Sequence, residues 1–280
     1  MDDTCNESKF LSDLFYQAVR DHKPVWMLEE MRNLNTFHWE KNIHQQTYTP
    51  SEALLYAIMY RNQYYAKYLL EQFSDVALAM PGDQFTYFPP SASHLEMAIR
   101  YGRNDIIASI LQVVHRTPSL CLYINQCGFK NLNGGRTPLH VACELLEPHT
   151  VIILLGNGAS PQAEDKNGMT PLDLLLKKLW TNKEDKDAIE CIRASRMCIE
   201  NLLFFMPKLQ FKMKSTLKEY QLFWSTVLGE EQYNLLVGRI PATLYLIAMQ
   251  KILSQLPPHE LLENLDKLPI PAFLKPRIHY

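Results

Sequence analysis

His140 and Cys143 are the residues of this sequence whose types and spacing could perform chemistry. A histidine and a cysteine three positions apart share one face of a helix, where they could act as a base and a nucleophile. Both residues also fall within a repeat motif described below, in which the histidine makes local hydrogen bonds and the cysteine faces the interior. We favour that structural role, and we predict that the protein is not an enzyme.

The remaining cysteines and histidines do not indicate a metal centre. Six cysteines and nine histidines occur in 280 residues, and they never cluster with the spacing of structural zinc ligands. Cys191 and Cys198, seven positions apart on a predicted helix, are more typical of core residues than of a ligand pair. The sequence also lacks a glycine-rich phosphate-binding loop. We therefore expect neither a metal nor another cofactor.

Composition and charge exclude further classes of function. Hydrophobic residues make up 47% and charged residues 21% of the chain, which is ordinary for a folded protein. A formal net charge of −2 argues against nucleic-acid binding, since phosphate recognition needs a concentrated basic field. The first residues lack the apolar segment of a signal peptide, and no stretch reaches the ~20 apolar residues that span a membrane. These features predict a cytoplasmic protein with reduced cysteines and without membrane insertion.

Two matching tetrapeptides reveal an internal repeat. Thr-Pro-Leu-His begins at Thr137 and Thr-Pro-Leu-Asp at Thr170, and their offset of 33 residues (170 − 137) is the ankyrin period. Threonine can cap a helix whose first residue is proline, because the N–H that proline lacks is not needed there. Each motif therefore predicts the first helix of a repeat. The residues that define the repeats are Thr137, Pro138, Leu139, His140, Thr170, Pro171 and Leu172.

The upstream chain fits the same template with larger departures. Ala57 and Ala98 can be aligned with the first helix of the clear repeats, together with the leucines around them. The extra residues between units fall at Phe73 to Pro90 and at Thr117 to Gly135, two segments rich in turn formers. We predict an all-α ankyrin-repeat solenoid of four to five repeats over residues 1–182.

A helical connecting region is predicted over residues 183–238. Apolar residues recur at helical spacing from Asp185 to Met206, which predicts one long helix. A run of lysines follows it, at Lys208, Lys212, Lys214 and Lys218. Such a run could bind an anionic partner, but a solvated helix face is the commoner reason for it and is favoured here.

The last segment, residues 239–280, combines a helix with a proline-rich end. Leu244, Ala248 and Ile252 recur every four residues, so they lie on one stripe of a helix that starts near Ile240. Periodicity alone favours packing of this stripe into the core as a terminal cap. A second short helix is predicted from His259 to Leu265. The sequence then continues into a segment that cannot be helical, Leu268, Pro269, Ile270 and Pro271.

This arrangement resembles a SOCS box. In that family, a helix with leucine, then a small residue and then an aliphatic residue at four-residue steps inserts into a groove on elongin C. The resemblance implies that Leu244, Ala248 and Ile252 bind elongin B/C. It also implies that the later Leu-Pro-aliphatic-Pro segment helps select the cullin, of type 5 or type 2; here the segment is Leu268, Pro269, Ile270 and Pro271. Ala248 stands where that family usually has cysteine.

Most of the chain resembles a family of ankyrin-repeat proteins that are regarded as substrate receptors of ubiquitin ligases. The segments that carry the likeness are Phe15 to Glu40, Ser51 to Ala57 and Leu139 to Leu145. The resemblance implies a substrate-recognition adaptor of a cullin-RING ubiquitin ligase, with inosine monophosphate dehydrogenase as the client protein. The alternative is an ankyrin scaffold or inhibitor protein without a ubiquitin-ligase role.

The surface that would hold a client is only weakly indicated. The turn at Lys166-Asn167 and the two insertions are candidates, because repeat proteins often bind through such loops. Aromatic residues concentrate at Tyr56, Tyr60, Tyr64, Tyr65 and Tyr68, with Trp26 and Trp39 nearby in sequence. We favour packing for most of them and keep a client surface as the alternative for some.

Overall fold

Helices form every regular element in the part of the chain that the structure describes. That part of the computed structural model comprises residues 15–33, 48–81, 92–127, 134–181 and 188–257, together with residues 264, 267–269 and 271. Within these residues no β-strand occurs, so the predicted all-α class is confirmed. The predicted helix from His259 to Leu265 and residues Trp39 and Ile270 lie outside the described residues, apart from Asn264.

The helices alternate with short turns along the whole described chain. In order they are α1 (residues 15–20), α2 (Val25–Asn33), α3 (Pro50–Met59), α4 (Gln63–Phe73), α5 (His94–Arg100), α6 (Asn104–Arg116), α7 (Pro138–Glu144), α8 (Pro148–Gly156), α9 (Pro171–Thr181), α10 (Ala188–Phe205), α11 (Lys214–Glu219), α12 (Gln221–Leu228), α13 (Glu230–Val237) and α14 (Leu244–Leu253). Single turns of 3₁₀ helix lie at Val76–Leu78, Pro118–Leu120 and Tyr123–Asn125, inside the two predicted insertions.

The chain divides into two compact units, Met1–Cys121 and Leu122–Tyr280. In the first unit α3 packs against α5 and α4 against α6, which is the stacking expected of two adjacent repeats. In the second unit α7 packs against α9 and α8 against α10 in the same way. The boundaries at residues 182 and 238, which separate the repeat region, the connecting region and the last segment, rest on the sequence pattern and remain a prediction.

Capping residues explain why the decayed repeats still begin helices at the aligned positions. Thr49 and Glu52 form a reciprocal capping box at the start of α3, with N–H donors 3.2 Å and 2.8 Å from the accepting side-chain oxygens. Ser93 caps α5 by accepting the N–H of Glu96 at 3.1 Å. Local chemistry at the helix start therefore persists where the Thr-Pro signature is incomplete.

The aromatic residues of the first unit pack mainly inside it. Tyr56 and Tyr65 are buried, and the ring of Phe15 stacks on that of Tyr48 with 4.6 Å between centroids. Tyr65 also donates its hydroxyl to Glu29 at 2.7 Å, which joins α4 to α2. The preference for packing is confirmed for Tyr56 and Tyr65, whereas Tyr64 is 82% exposed.

A buried histidine joins the first helices of two repeats. His94 is completely buried at the start of α5, with Nε2 3.0 Å from the carbonyl oxygen of Ser51 on α3. Burial lowers the pKa of His94 to about 4, although the hydrogen bond to Ser51 opposes that shift. The folded state therefore holds this ring neutral at pH values where the unfolded chain protonates it.

We expect this histidine to make the protein sensitive to acid. The folded pKa of about 4 lies below the ordinary 6.5. The contribution of the neutral His94 ring to the free energy of unfolding is therefore fully present above pH 6.5 and is lost as the pH falls towards 4. At pH 4 the loss is about 3 kcal/mol of unfolding free energy. Urea unfolding between pH 4 and 7 should show a steeper pH dependence for the wild type than for His94→Gln, and parallel curves would contradict the assignment.

In the second unit the predicted repeats and the predicted long helix are present. Helices α7 and α9 begin at the two Thr-Pro motifs, and α10 lies within the range predicted for one helix. The turns of consecutive repeats are joined by a hydrogen bond of 2.7 Å from the N–H of Lys166 to the carbonyl oxygen of Gly134. Helices α11 to α13 pack on one another, and α14 packs on α10.

Candidate functional site

His140 and Cys143, the pair considered for catalysis, have structural roles. The backbone N–H of Thr137 donates to Nδ1 of His140 at 3.1 Å, so the ring proton is on Nε2. That nitrogen donates to the carbonyl oxygen of Met169 at 2.9 Å. Burial lowers the pKa of His140 and raises the pKa of the Cys143 thiol well above its ordinary value. A neutral ring with both nitrogens bonded and a buried, protonated thiol fit the expected structural role.

Asp173 takes the place of His140 in the next repeat, with reversed polarity. Its Oδ2 accepts the backbone N–H of Thr170 at 2.9 Å and the hydroxyl at 2.8 Å. Its Oδ1 accepts the backbone N–H of Met213, the residue before α11, at 2.8 Å. The histidine faces a carbonyl acceptor and the aspartate faces an N–H donor. The hydrogen-bonding polarity of each side chain therefore matches that of the backbone group it meets in the segment after its own repeat.

The helix α14 has one face that is buried inside the protein. Thr243 caps its start by accepting the N–H of Leu246 at 3.2 Å. The inner face packs towards the end of α10 and consists of Leu246, Met249 and Leu253. Phe204 and Phe205 lie against Met249 and Leu253. Gln250 donates to the carbonyl oxygens of Leu203 at 2.7 Å and Met206 at 3.3 Å. These contacts hold α14 in a defined rotation about its axis.

The opposite face of α14 is exposed, and it carries part of the predicted elongin-binding stripe. Leu244 is 83% exposed and Ala248 is also exposed, so neither packs into the core as periodicity alone had favoured. Ile247 is 51% exposed, and Lys251 lies one turn further along. The outer face of α14 in the described structure is therefore an apolar strip that ends in a cation.

Ile252, the third residue of the predicted stripe, differs in exposure from Leu244 and Ala248. Ile252 is partly buried against the cluster of Met249 and Leu253, and Leu268 of the predicted cullin-binding segment packs on that cluster as well. Pro269 and Pro271 are exposed. Ile247 shares the face of Leu244 because it lies three positions after it, but the four-residue spacing of the predicted stripe did not include it.

An open groove lies beside the first turn of α14. It has a volume of about 460 Å³, and Lys214 is the charged residue among those that line it. Its apolar walls come from α10, α13 and α14 and the segments next to them, and include Leu203, Met206, Leu235, Ile240, Leu246 and Ile247. Since Ile247 lines both the groove and the outer face, the two form one continuous apolar surface.

The described residues form neither a cluster of metal ligands nor a membrane-spanning helix. No group of three or more histidine, cysteine, aspartate or glutamate side chains there could hold a metal ion. The same residues include no helix with the length and apolarity that crossing a membrane requires.

Comparison with known proteins decides the family. A model of the ankyrin repeat matches residues 134–166. Ankyrin repeat domain-containing protein 9 of Mus musculus is 36% identical over 294 aligned residues, which cover 97% of this chain and 89% of the mouse protein. The chain belongs to the ankyrin repeat domain-containing protein 9 family.

Matches to two plant proteins cover a short segment of the chain. The BTB/POZ domain and ankyrin repeat-containing protein NBCL of Lotus japonicus is 46% identical over 42 residues, or 15% of this chain and 9% of that protein. The regulatory protein NPR5 of Arabidopsis thaliana is also 46% identical over 42 residues, with the same coverage. These matches show the repeat alone. The ankyrin repeat domain-containing protein 9 family relation instead extends through α14, so this chain is an ankyrin-repeat protein with a protein-interaction role.

Proposed function

We propose that this protein is a substrate-recognition adaptor of a cullin-RING ubiquitin ligase. The observation that carries the proposal is the outer face of α14, which leaves Leu244 83% exposed while the opposite face is buried. An exposed apolar side chain at the start of a rigidly held helix suits insertion into an apolar groove of a partner. The partner in the proposal is elongin C, with Leu244 as anchor and Ala248 and Ile252 as flanking contacts.

The proposed mechanism is proximity. Elongin B/C docks on α14, and a cullin of type 5 or type 2 contacts the segment around Leu268, Pro269, Ile270 and Pro271. The packing of Leu268 on Met249 and Leu253 places the start of that segment beside α14, which supports the two contacts acting together. The client is thereby held near a ubiquitin-charged enzyme, and the bond chemistry belongs to the other subunits.

The client proposed from family resemblance is inosine monophosphate dehydrogenase. The ankyrin repeats support a role in holding a protein, since stacked repeats present extended binding surfaces. Lys166, Asn167 and the two insertions are the proposed contacts, and the exposed turn of the last clear repeat is compatible with that role.

Reconstitution with purified components tests the proposal. The full-length chain should co-migrate with elongin B/C in size-exclusion chromatography, and one of the two cullins should join that complex. Addition of the ubiquitin-conjugating machinery should then modify inosine monophosphate dehydrogenase only when this chain is present. If elongin B/C does not co-migrate, the adaptor function is wrong and the ankyrin scaffold or inhibitor remains. If the complex forms without modifying the enzyme, only the client is wrong.

A further inference from the structure

Two tyrosines of the first unit lie at the turns between paired helices, and a third stacks on one of them, so that the three form a row. Tyr16 lies on α1, Tyr60 directly follows α3 and Tyr101 directly follows α5. The rings of Tyr16 and Tyr60 stack with 5.9 Å between centroids and 22° between planes. Tyr101 is 40% exposed, and the other two are partly exposed. These three residues are called the tyrosine row.

The repeat architecture generates this row. Tyr60 and Tyr101 occupy the same position of their repeats, because each follows the first helix and donates its N–H to a carbonyl oxygen in that helix. The next residues, Arg61 and Gly102, both adopt the left-handed backbone region, with φ of 55° and 62°. Since α3 packs against α5, the two tyrosines lie on neighbouring turns of one surface. Burial raises the pKa of Tyr60, and Tyr16 and Tyr101 are close enough to add to that effect.

Two of the arginines beside the tyrosine row, Arg61 and Arg103, lack carboxylate partners within the described residues. Arg61 is exposed at the turn. Arg103 donates to the carbonyl oxygens of Ile58 at 3.0 Å and Met59 at 2.9 Å, and its guanidinium carbon lies 5.8 Å from the centre of the Tyr101 ring. By contrast, the neighbouring Arg20 and Arg100 are paired with Asp21 and Glu96 at 3.1 Å and 2.9 Å.

We propose that the tyrosine row, with Arg61 and Arg103, docks an acidic peptide segment of a client protein. Tyrosine and arginine are enriched among the residues that contribute most to the energy of protein interfaces. A stacked tyrosine pair also offers a flat apolar surface at little entropic cost. Two cations without carboxylate partners complement aspartate or glutamate side chains of such a segment. The inference rests on the proposed adaptor function and adds a second contact for the client, beside those proposed at Lys166, Asn167 and the two insertions. Nucleic acid fits less well, because two cations make a weak field for a phosphate backbone.

A selection experiment tests this assignment. The full-length chain is used to select from a phage-displayed library of random dodecapeptides, and the enriched sequences are synthesised with a fluorescein label. We expect them to combine aspartate or glutamate with aromatic or aliphatic residues. Fluorescence anisotropy should show about tenfold weaker binding to Arg61→Glu and to Tyr101→Ala, and to a peptide whose acids are replaced by their amides.

Matched controls lie on α4, outside the tyrosine row. Tyr64→Ala removes a tyrosine that is 82% exposed, and Lys67→Glu reverses an exposed charge, so both should bind the peptides as the wild type does. Absence of enrichment, enrichment of non-acidic sequences, or unchanged binding to Arg61→Glu would each overturn the proposal. So would tighter binding of a twelve-nucleotide polyuridylate than of the peptides. Elongin C capture by Arg61→Glu, measured in parallel, reports on the adaptor function separately.

Discussion

The change of Leu244 to aspartate is expected to weaken elongin C binding about 100-fold or more. Leu244 is 83% exposed in the free chain, so the substitution removes no internal contact of any size. In the complex, the carboxylate would be buried in an apolar groove without a partner, at a cost of several kcal/mol. A 100-fold loss corresponds to about 2.7 kcal/mol. Titration calorimetry with purified elongin B/C measures the affinity, and thermal unfolding should be unchanged.

Leu222→Asp is the matched control for that experiment. Leu222 lies on α12 and is 85% exposed, so the same substitution is made at equal exposure outside α14. It should bind elongin B/C with the affinity of the wild type. Wild-type affinity in both variants would show that α14 is not the docking surface. A parallel loss in both would point to a general effect of the added charge.

The repeats could be predicted from the sequence because their signals act over short distances. Thr137 and Thr170 are followed three residues later by the side chains that complete their helix starts, and both motifs recur at the ankyrin spacing. A cap needs only the residues around it. The local chemistry and the global period therefore agree, and α7 and α9 begin where both signals place them.

The rotation of α14 could not be predicted in the same way. Its sequence offers two apolar stripes, and four-residue spacing gives no reason to bury Leu246 and Met249 in preference to Leu244 and Ala248. That choice depends on contacts with Phe204 and Phe205 of α10, a helix separated from α14 in sequence by α11, α12 and α13. Ile252 then falls at the border between the two faces, which is why the predicted stripe is only partly exposed.

Contacts between distant segments account for the other features that the sequence did not reveal. The stacking of Tyr16 on Tyr60 and the hydrogen bond from Met213 to Asp173 both join residues about 40 positions apart. Neither produces a period or a motif. The sequence shows a tyrosine after α3 and another after α5, but only the packing of those helices brings the two rings onto one surface.

A second large effect is expected when the side chains of the two repeat motifs are exchanged. Asp173→His should lower the unfolding free energy by about 3 kcal/mol, although histidine occupies the equivalent position 140. An imidazole that accepts the N–H of Thr170 through Nδ1 carries its proton on Nε2, which then faces the N–H of Met213. Two donors would oppose each other in a buried site. Urea unfolding followed by circular dichroism measures the loss.

The reciprocal change and a smaller one separate polarity from size. His140→Asp places a carboxylate against the carbonyl oxygen of Met169, so two acceptors would oppose each other and a comparable loss is expected. Asp173→Asn keeps the shape and one carbonyl acceptor, so its loss of unfolding free energy should be about half as large.

If Asp173→His is as stable as the wild type, the hydrogen bond to Met213 does not hold α11 to α9, and the matching of each side chain to the segment that follows it is wrong. If only His140→Asp is destabilised, matched polarity is needed where His140 meets Met169 and not where Asp173 meets Met213.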